Sequence, residues 1–415
     1  LSLTRTARRL LSGPGAGQGP EPLDEHLARL GELPAGRRAD DLIDEIEASG
    51  ILGRGGAGFP VGRKWRALAD RRTGSAVVLA NGAEGEPASA KDRTLMETRP
   101  HLIIDGALLA ADAVEADEVI FYIGGEHVVA LDAMRRAVEV RRASTWCRMR
   151  IVAAPLGYVA GEATAAVHYV NDAVARPTTT PPRMSVSGVG GRPTLVQNVE
   201  SLAYAALIAR FGESWYRAAG RRGGAGTALV TMTGALEKQG VREIELGTTL
   251  GEAVGEAGGL TRKIGAVVLG GYFGTWAPAR NAWDLPLEPT IMQRVGLTFG
   301  CGIVGLLPAD ACGVRATARI MSFLAAESAG QCGPCVLGLG SIARSMAELA
   351  SGRADPGAVD DVERWTSLVA GRGACRHPDG AAQLMTSALD LFGADLAWHA
   401  RTGRCAVTGE REAVA

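Results

Sequence analysis

Between residues 76 and 155 short apolar runs alternate with amphipathic stretches, and this alternation constrains the fold more than any other feature. "AVVLAN" (76–81), "EVIFYIG" (118–124) and "RMRIVAAP" (148–155) are short, apolar and bounded by turn residues, the pattern of buried strands. Between them, "HLIIDGALLAADAV" (101–114) and "HVVALDAMRRAVEV" (127–140) carry helical periodicity. Strand–helix alternation of this kind predicts a mostly parallel α/β sheet, with ligands at the strand C-termini.

The chain has 415 residues, which predicts two or three domains rather than one core. Residues 1–38, rich in Gly, Pro and Arg, read as a flexible leader, followed by the α/β domain over 39–225. The break at "GRRGGAGTA" (220–228) opens a small α+β module over 226–300. From 301 to 402 the pattern turns helical, and "RATARIMSFLAAES", "LGLGSIARSMAELASG", "VDDVERWTSLVA" and "GAAQLMTSALDLF" predict a four-helix cap. Residues 403–415 read as a polar, frayed tail.

Composition excludes several functions. The 44 basic and 45 acidic residues leave a net charge of -1, so nothing suggests a nucleic-acid partner. No run of eighteen apolar residues predicts a membrane span. The N-terminal "LSLTRTARRLL" is too short in its apolar part for a secretory signal. Seven cysteines in such a chain point to the cytoplasm and to metal binding over disulfides. Lys64, Lys91, Lys238 and Lys263 are the whole lysine content, and the first two fall inside the motifs below.

"GRGGAGFPVGRKW" (53–65) gathers Gly53, Gly55, Gly56 and Gly58 around Arg54, with Lys64 close behind. Glycine backbone amides can turn inward around a phosphate, and the two cations would supply charge; a plain surface turn is the even alternative. "NGAEGEP" (81–87) follows the first strand directly, so Asn81, Glu84 and Glu86 stand where an α/β sheet binds ligands. In "SAKDR", Asp92 and Arg93 read as a solvated helix start with a local ion pair. "GYVAGEATAA" (157–166) presents Tyr158, Gly161 and Glu162, and "RPTLVQNVESLA" (192–203) presents Gln197 and Asn198 just before a helix. Each of these last two, taken alone, is more often capping chemistry than a binding site.

The cysteines divide. Cys332-x-x-Cys335, with Cys375 forty residues on, has ligand spacing, and its helical context argues against a thioredoxin-like redox pair. Cys147, Cys301, Cys312 and Cys405 show no ligand spacing and read as packing or exposed thiols.

Taken together and in order, "GRGGAGFP-GRKW", "N--EGEP", "KDR", "Y--GE-T", "PT---NVE", "ES-GQC-PC" and the distal Cys resemble the flavin-carrying, NADH-oxidising subunit of respiratory complex I. They are similar also to its relatives in NAD-linked hydrogenases and formate dehydrogenases. The resemblance covers about residues 45–400. It implies a Rossmann-like FMN-binding domain, a small β-grasp (soluble-ligand-binding) module, and a C-terminal helical bundle carrying an iron–sulfur site. It also implies FMN contacts at Gly53, Arg54, Gly55, Gly56, Gly58, Lys64, Asn81, Glu84, Glu86, Tyr158, Gly161, Glu162, Gln197 and Asn198. Cys332, Cys335 and Cys375 would hold the cluster.

The departures from the family pattern are local. The acidic third position of "NADEGEP" is Ala83, and the second glutamate of "GEET", which helps hold the nicotinamide nucleotide, is Ala163. Two adenine-clamping aromatic positions are Ala67 and Arg183, while Phe59 and Glu86 remain. The ligand run "SCGxCxPCR" keeps neither its first Cys nor its trailing Arg, leaving Ala329 and Val336. The expected cluster is therefore [4Fe–4S] with a non-cysteine fourth site (water, Ser328 or His377), or [3Fe–4S]. These changes predict an electron-transfer subunit that exchanges electrons with a redox protein partner, whether ferredoxin-like, a thioredoxin-like small subunit or a membrane reductase. Direct NADH oxidation is then expected to be weakened or lost, NAD(P)H binding is in doubt, and the expected location is cytoplasmic, with peripheral attachment to a membrane complex an option. A working NAD(P)H dehydrogenase and a silent assembly scaffold are the alternatives.

Overall fold

Successive side chains of the first strand, β1 (Ala76–Gly82), enter two different apolar layers. Ala76, Val78 and Ala80 pack on one face of the sheet, Val77 and Leu79 on the other. A strand buried on both faces reads as a continuous apolar run, which is why "AVVLAN" shows no alternation. This computed structural model describes residues 8–34, 36–71, 74–355 and 357–409. The chain divides into two compact units, Leu1–Val230 with Val241–Thr248, and Thr231–Gly240 with Thr249–Ala415.

The first unit begins with α1 (Leu23–Leu30), α2 (Ala39–Ser49) and α3 (Val61–Ala69). After β1 come α4 (Lys91–Thr98), α5 (Pro100–Ala113), β2 (Ala116–Gly124), α6 (Val128–Arg142) and β3 (Arg148–Ala154). Then follow α7 (Ala163–Asp172), β4 (Thr194–Asn198), α8 (Val199–Phe211) and α9 (Glu213–Arg217). The parallel sheet has the order β3-β2-β1-β4. Pro100 starts α5 at a position where its missing N–H costs nothing. Helices α5 and α8 lie so close that a Cβ on Gly106 would stand 1.8 Å from the Leu202 carbonyl oxygen, so that contact requires glycine.

One expectation is corrected here. The described part of residues 1–38 is not a loose leader: Leu10 is buried, and the Glu243 carboxylate accepts the N–H groups of Arg9, Leu10 and Leu11 at 2.9–3.0 Å. Buried His26 bridges Asp105 at 2.7 Å and Glu21 at 3.4 Å, and Arg29 grips Glu21 with two nitrogens. The segment looks loose in sequence because polar contacts, not an apolar stripe, fasten it. Strand β4 was also hidden, since "TLVQN" is five residues long and runs directly into α8.

The second unit contains most of a mixed sheet with the order β6-β5-β9-β7-β8. Its strands are β5 (Thr227–Gly234), β6 (Gly240–Glu245), β7 (Ile264–Leu269), β8 (Thr275–Pro278) and β9 (Ile303–Pro308). Short helices α10 (Leu250–Glu256), α11 (Ala279–Ala282) and α12 (Pro289–Arg294) fill the connections, the first with a Thr249/Glu252 capping box. Strand β9 lies beyond residue 300 yet sits in the middle of this sheet. The helical end comprises α13 (Gly313–Ala326), α14 (Gly340–Ser351), α15 (Ala358–Val369) and α16 (His377–Thr402). A π-helical turn over Pro334–Leu339 leads into α14. No described helix is long and apolar enough to cross a membrane.

Candidate functional site

The glycine motif forms an open loop closed at its base. Leu52 and Pro60 bridge, and the Gly53 N–H donates to the Phe59 carbonyl at 2.9 Å. Gly55, Gly56 and Ala57 are exposed. Gly56 (φ 98°) and Gly58 (φ 63°) occupy the left-handed region that a side chain would strain. The loop stands at the carboxyl ends of the sheet, because Gly55 lies over Asn198, the last residue of β4. That is where an α/β sheet places its ligands.

Arg54 corrects an expectation. Its N–H donates to Ser201 Oγ at 3.0 Å, and its guanidinium turns inward to the Thr227 carbonyl and the Tyr216 hydroxyl. Glu200 lies 3.7 Å away, and the side chain is buried. This cation is matched inside the protein and does not face the loop's open side. Asp92 and Lys91, too, are buried rather than solvated. Lys91 Nζ reaches Asp92 at 2.7 Å and Glu200 at 3.0 Å. Burial disfavours the Lys91 cation, but Asp92 and Glu200 outweigh it and hold its pKa above the ordinary value. Burial pushes Asp92 upward, against Lys91, with Glu84 and Glu200 adding to the rise.

Glu84 belongs to the same internal framework. Its carboxylate accepts the N–H groups of Asp92 (3.1 Å) and Arg93 (3.2 Å) at the start of α4, together with the Ser89 hydroxyl. Glu162 caps α7 by accepting from the Thr164 and Ala165 amides at 2.8 and 3.0 Å. Asn198 caps α8 through Glu200 N–H at 3.0 Å and donates to Asp92 at 2.8 Å. Asn81 donates to the Gly161 carbonyl at 2.9 Å, tying β1 to the turn before α7. Gly161 must remain glycine there, since its Cβ would stand 2.8 Å from the Ala83 carbonyl oxygen. Tyr158 donates its hydroxyl to Glu86 at 3.1 Å.

Two residues of the set stand apart. Lys64, on α3, has one described partner, the neutral Val196 carbonyl. Burial lowers its pKa with no carboxylate to offset it. Gln197 is buried at the end of β4, and its Oε1 accepts no hydrogen bond in the structure. An anion near Lys64 and a donor near Gln197 would satisfy both groups. Phe59, 56% exposed, offers an aromatic face at the loop's rim, while Ala67 and Arg183 are also exposed.

In the second unit, α13 ends at Ala326, and the chain turns through Gly330 (φ 68°) to Cys332. Burial pushes the Cys335 thiol up to about 11; the Ser328 hydroxyl opposes the rise, and nearby Cys332 and Cys375 add to it. The three cysteines therefore converge. Ala329 is half-buried on the same turn and carries no donor. His377 is engaged through Nε2 with the Leu324 carbonyl at 2.7 Å and lies edge-on to Phe273. Val336 and Leu337 beside this loop are 56% and 66% exposed.

Sequence reasoning missed Glu200, Ser201, Tyr216 and Thr227, which hold Arg54. The available signal was Glu200 itself, a charge inside the otherwise apolar α8 and within the "NVE" motif. It missed also that Cys312, His399 and Cys405 come together, all buried.

Comparison with known proteins agrees with this layout. Residues 46–206 match the Nuo51 FMN-binding domain, and residues 315–399 match the NADH-ubiquinone oxidoreductase-F iron-sulfur binding region. The second F-type subunit of the NADH-quinone oxidoreductase of Rhizobium meliloti is 30% identical over 406 residues, spanning 92% of this chain and 96% of that protein. The F-type subunit of the Escherichia coli enzyme is 30% identical over 399 residues, spanning 90% and 88%. Among solved structures, air-oxidised NAD+-reducing [NiFe]-hydrogenase matches with a TM-score of 0.84 at 27% identity, covering 94% of this chain. The H2-reduced form gives 0.81 at 27% identity. This chain spans only 66% and 63% of those two hydrogenase chains. With both domains matched in order and a relative aligned over nearly its whole length, the chain belongs to the family of F-type subunits of NADH-quinone oxidoreductase, which are flavin and iron–sulfur electron-transfer proteins.

Proposed function

We propose that this chain binds FMN over the glycine loop, holds an iron–sulfur cluster at Cys332, Cys335 and Cys375, and passes electrons to or from a redox protein partner, with direct NADH oxidation weakened. FMN, when bound, exchanges electrons in pairs with a hydride donor and singly with a cluster. The residues suited to hold it are Lys64, opposite the phosphate charge, the exposed amides of Gly55 and Gly56, and Gln197, whose Oε1 needs a donor. Lys64 carries this reading: a half-buried cation with no carboxylate partner favours an anion beside it. FMN released intact after anaerobic reconstitution supports the reading, and failure of excess FMN to bind would refute it.

The weakening of NADH oxidation rests on the "GEAT" segment. With Ala163 in place, its only carboxylate is Glu162, and that group is committed to the α7 amides. No acid there is left to position a nicotinamide nucleotide, and exposed Ala67 and Arg183 offer no ring to stack on an adenine. Stopped-flow bleaching of the flavin by sub-millimolar NADH at ordinary enzyme rates would overturn this. Such a result would promote the second reading, a working NAD(P)H dehydrogenase, which the exposed Phe59 and the names of the relatives favour.

Ala329 sets the cluster type. Cys332, Cys335 and Cys375 would supply three thiolate ligands to a cubane, and with Ala329 in place the fourth position would fall to water, Ser328 or His377. The cluster would therefore be [4Fe–4S] with a non-cysteine fourth site, or [3Fe–4S]. Ala329→Cys should convert it to an air-stable [4Fe–4S] centre, read by iron analysis and electron paramagnetic resonance. Absence of any cluster after anaerobic reconstitution would end this reading.

A further inference from the structure

A second group of metal-type ligands lies at the other end of the cluster-bearing helices. Helix α13 runs from Cys312, its N-cap, to the cluster loop. Helix α16 runs back, from His377 beside Cys375 to Thr402. Fourteen residues of α13 at about 1.5 Å each separate its two ends by roughly 20 Å. At the end remote from the cluster loop, Cys312 Sγ, a ring nitrogen of His399 and Cys405 Sγ lie within 4.8 Å of one another. Their exposures are 6%, 1% and 1%.

The groups around these atoms fix their roles. The Leu349 carbonyl can only accept, so His399 Nδ1, 2.9 Å away, must be the protonated nitrogen. Nε2 then carries the lone pair, and it lies 3.5 Å from Cys312 Sγ. A carbonyl holding the far nitrogen of a ligating imidazole is the usual way proteins orient such a ring. Amides aim at both sulfurs: Arg315 N–H at Cys312 (3.5 Å) and Thr408 N–H at Cys405 (3.4 Å). A mere S–H···N bond between Cys312 and His399 would account for neither the position of Cys405 nor the amide donated to it.

The chain is also shaped to deliver the third ligand. Gly403 ends α16 in the left-handed conformation (φ 64°) and turns the chain back toward the helix. Its carbonyl passes Gly352, at the end of α14, so closely that a Cβ there would stand 2.1 Å from the oxygen. The chain is thus held against the bundle at Cys405, while residues 406–409 are exposed.

We propose that Cys312, His399 and Cys405 bind one zinc ion as a structural clasp. Two thiolates and one imidazole form a donor set that suits zinc at its tetrahedral distances. No other described His, Cys, Asp or Glu joins the three, so a water molecule completes the shell. Binding releases the two thiol protons to solvent and transfers no electrons. The clasp locks α13, α14 and the end of α16 in register.

The test uses the full chain isolated anaerobically. Elemental analysis is expected to find about one zinc per chain beside the iron. Cobalt loading should give the intense thiolate-to-metal absorption of a tetrahedral site. Cys405→Ser and His399→Gln should each lose the zinc while the iron content and its paramagnetic signal persist. Where a variant fails to fold, cobalt-loaded wild type still decides, because cyanylation mapping should find Cys312 and Cys405 protected by the metal. Zinc-free protein that also refuses added zinc or cobalt would overturn the proposal. So would a Cys312–Cys405 disulfide in the anaerobic protein, or a cobalt spectrum unchanged in the Cys312→Ser/Cys405→Ser variant.

Discussion

Two charged regions meet at the glycine loop and behave in opposite ways. Behind it, Arg54 and Lys91 face Glu84, Asp92 and Glu200, so that buried charges of opposite sign lie against one another in the interior. In front, Lys64 and Gln197 have polar atoms that the protein answers poorly or not at all. One motif therefore contains residues that make the shape and residues that await a partner. Removing a member of the first set should damage the fold, and removing a member of the second should damage only ligand binding.

The largest effect is expected behind the loop. Lys91→Met leaves Asp92 and Glu200 buried without their cation, and breaking a buried pair from one side costs about 3–5 kcal/mol. The first unfolding transition in urea should move by that amount, and the Lys91→Met/Asp92→Leu double variant should recover part of it. A loss below about 1 kcal/mol in the single variant would show that the network does not hold the loop.

The N-terminal staple supplies a comparison in pH. Burial alone would raise Glu21, but His26 and Arg29 outweigh it and lower its pKa to about 2. Asp105 is lowered to about 2 against burial by His26, Arg210 and Arg141. Both carboxylates start from an unfolded value near 4. Their contribution is complete above about pH 4 and disappears as the pH falls through about 2. His26, raised by Asp105 and Glu21 against burial, contributes fully below its ordinary value and loses that contribution as the pH rises through the shifted one. Amide exchange of residues 8–34 should accelerate from pH 4 downward, before that of β1 and β2. Simultaneous release of the whole unit would contradict this separation.

The same contrast explains what the sequence could and could not disclose. Strands β1 to β3 were legible because burial on both faces demands uninterrupted apolar runs. The glycine loop was legible because φ values near +98° and +63° exclude side chains. Orientation was not legible: the motif names Arg54 and Lys64 together, yet one turns to Tyr216 and Thr227 and the other to the Val196 carbonyl of β4. Asp92 looked like a solvated helix start because its partner Asn198 is distant in the chain. Cys312, His399 and Cys405 were invisible to spacing arguments for the same reason, since helix ends assemble them.

In front of the loop, effects should be smaller and confined to the ligand. Lys64→Met removes a charge-assisted contact to phosphate, typically about 1.5–3 kcal/mol, or about 10- to 150-fold in FMN affinity. The apoprotein should keep or gain stability, because the buried cation has no carboxylate to lose. Fluorescence titration with FMN and urea denaturation of the apoprotein measure the two halves separately. A variant that binds FMN normally would remove Lys64 from the site and return the glycine loop to a plain turn.

The smallest effect has the clearest sign. Gln197 Oε1 is buried without a donor, so the apoprotein carries the desolvation of an unanswered acceptor. Gln197→Leu keeps roughly the side chain's size and removes that acceptor. It should therefore stabilise the apoprotein by about 1 kcal/mol, within the range such groups cost. If a ring N–H of the flavin is the donor that Oε1 accepts, the same change should weaken FMN binding about five- to tenfold, for the loss of about 1 kcal/mol. The two effects oppose each other, and no general softening of the fold produces that pair. Destabilised apoprotein with unchanged FMN affinity would place Gln197 among the residues behind the loop, beside Arg54, and shift the boundary between the two regions by one residue.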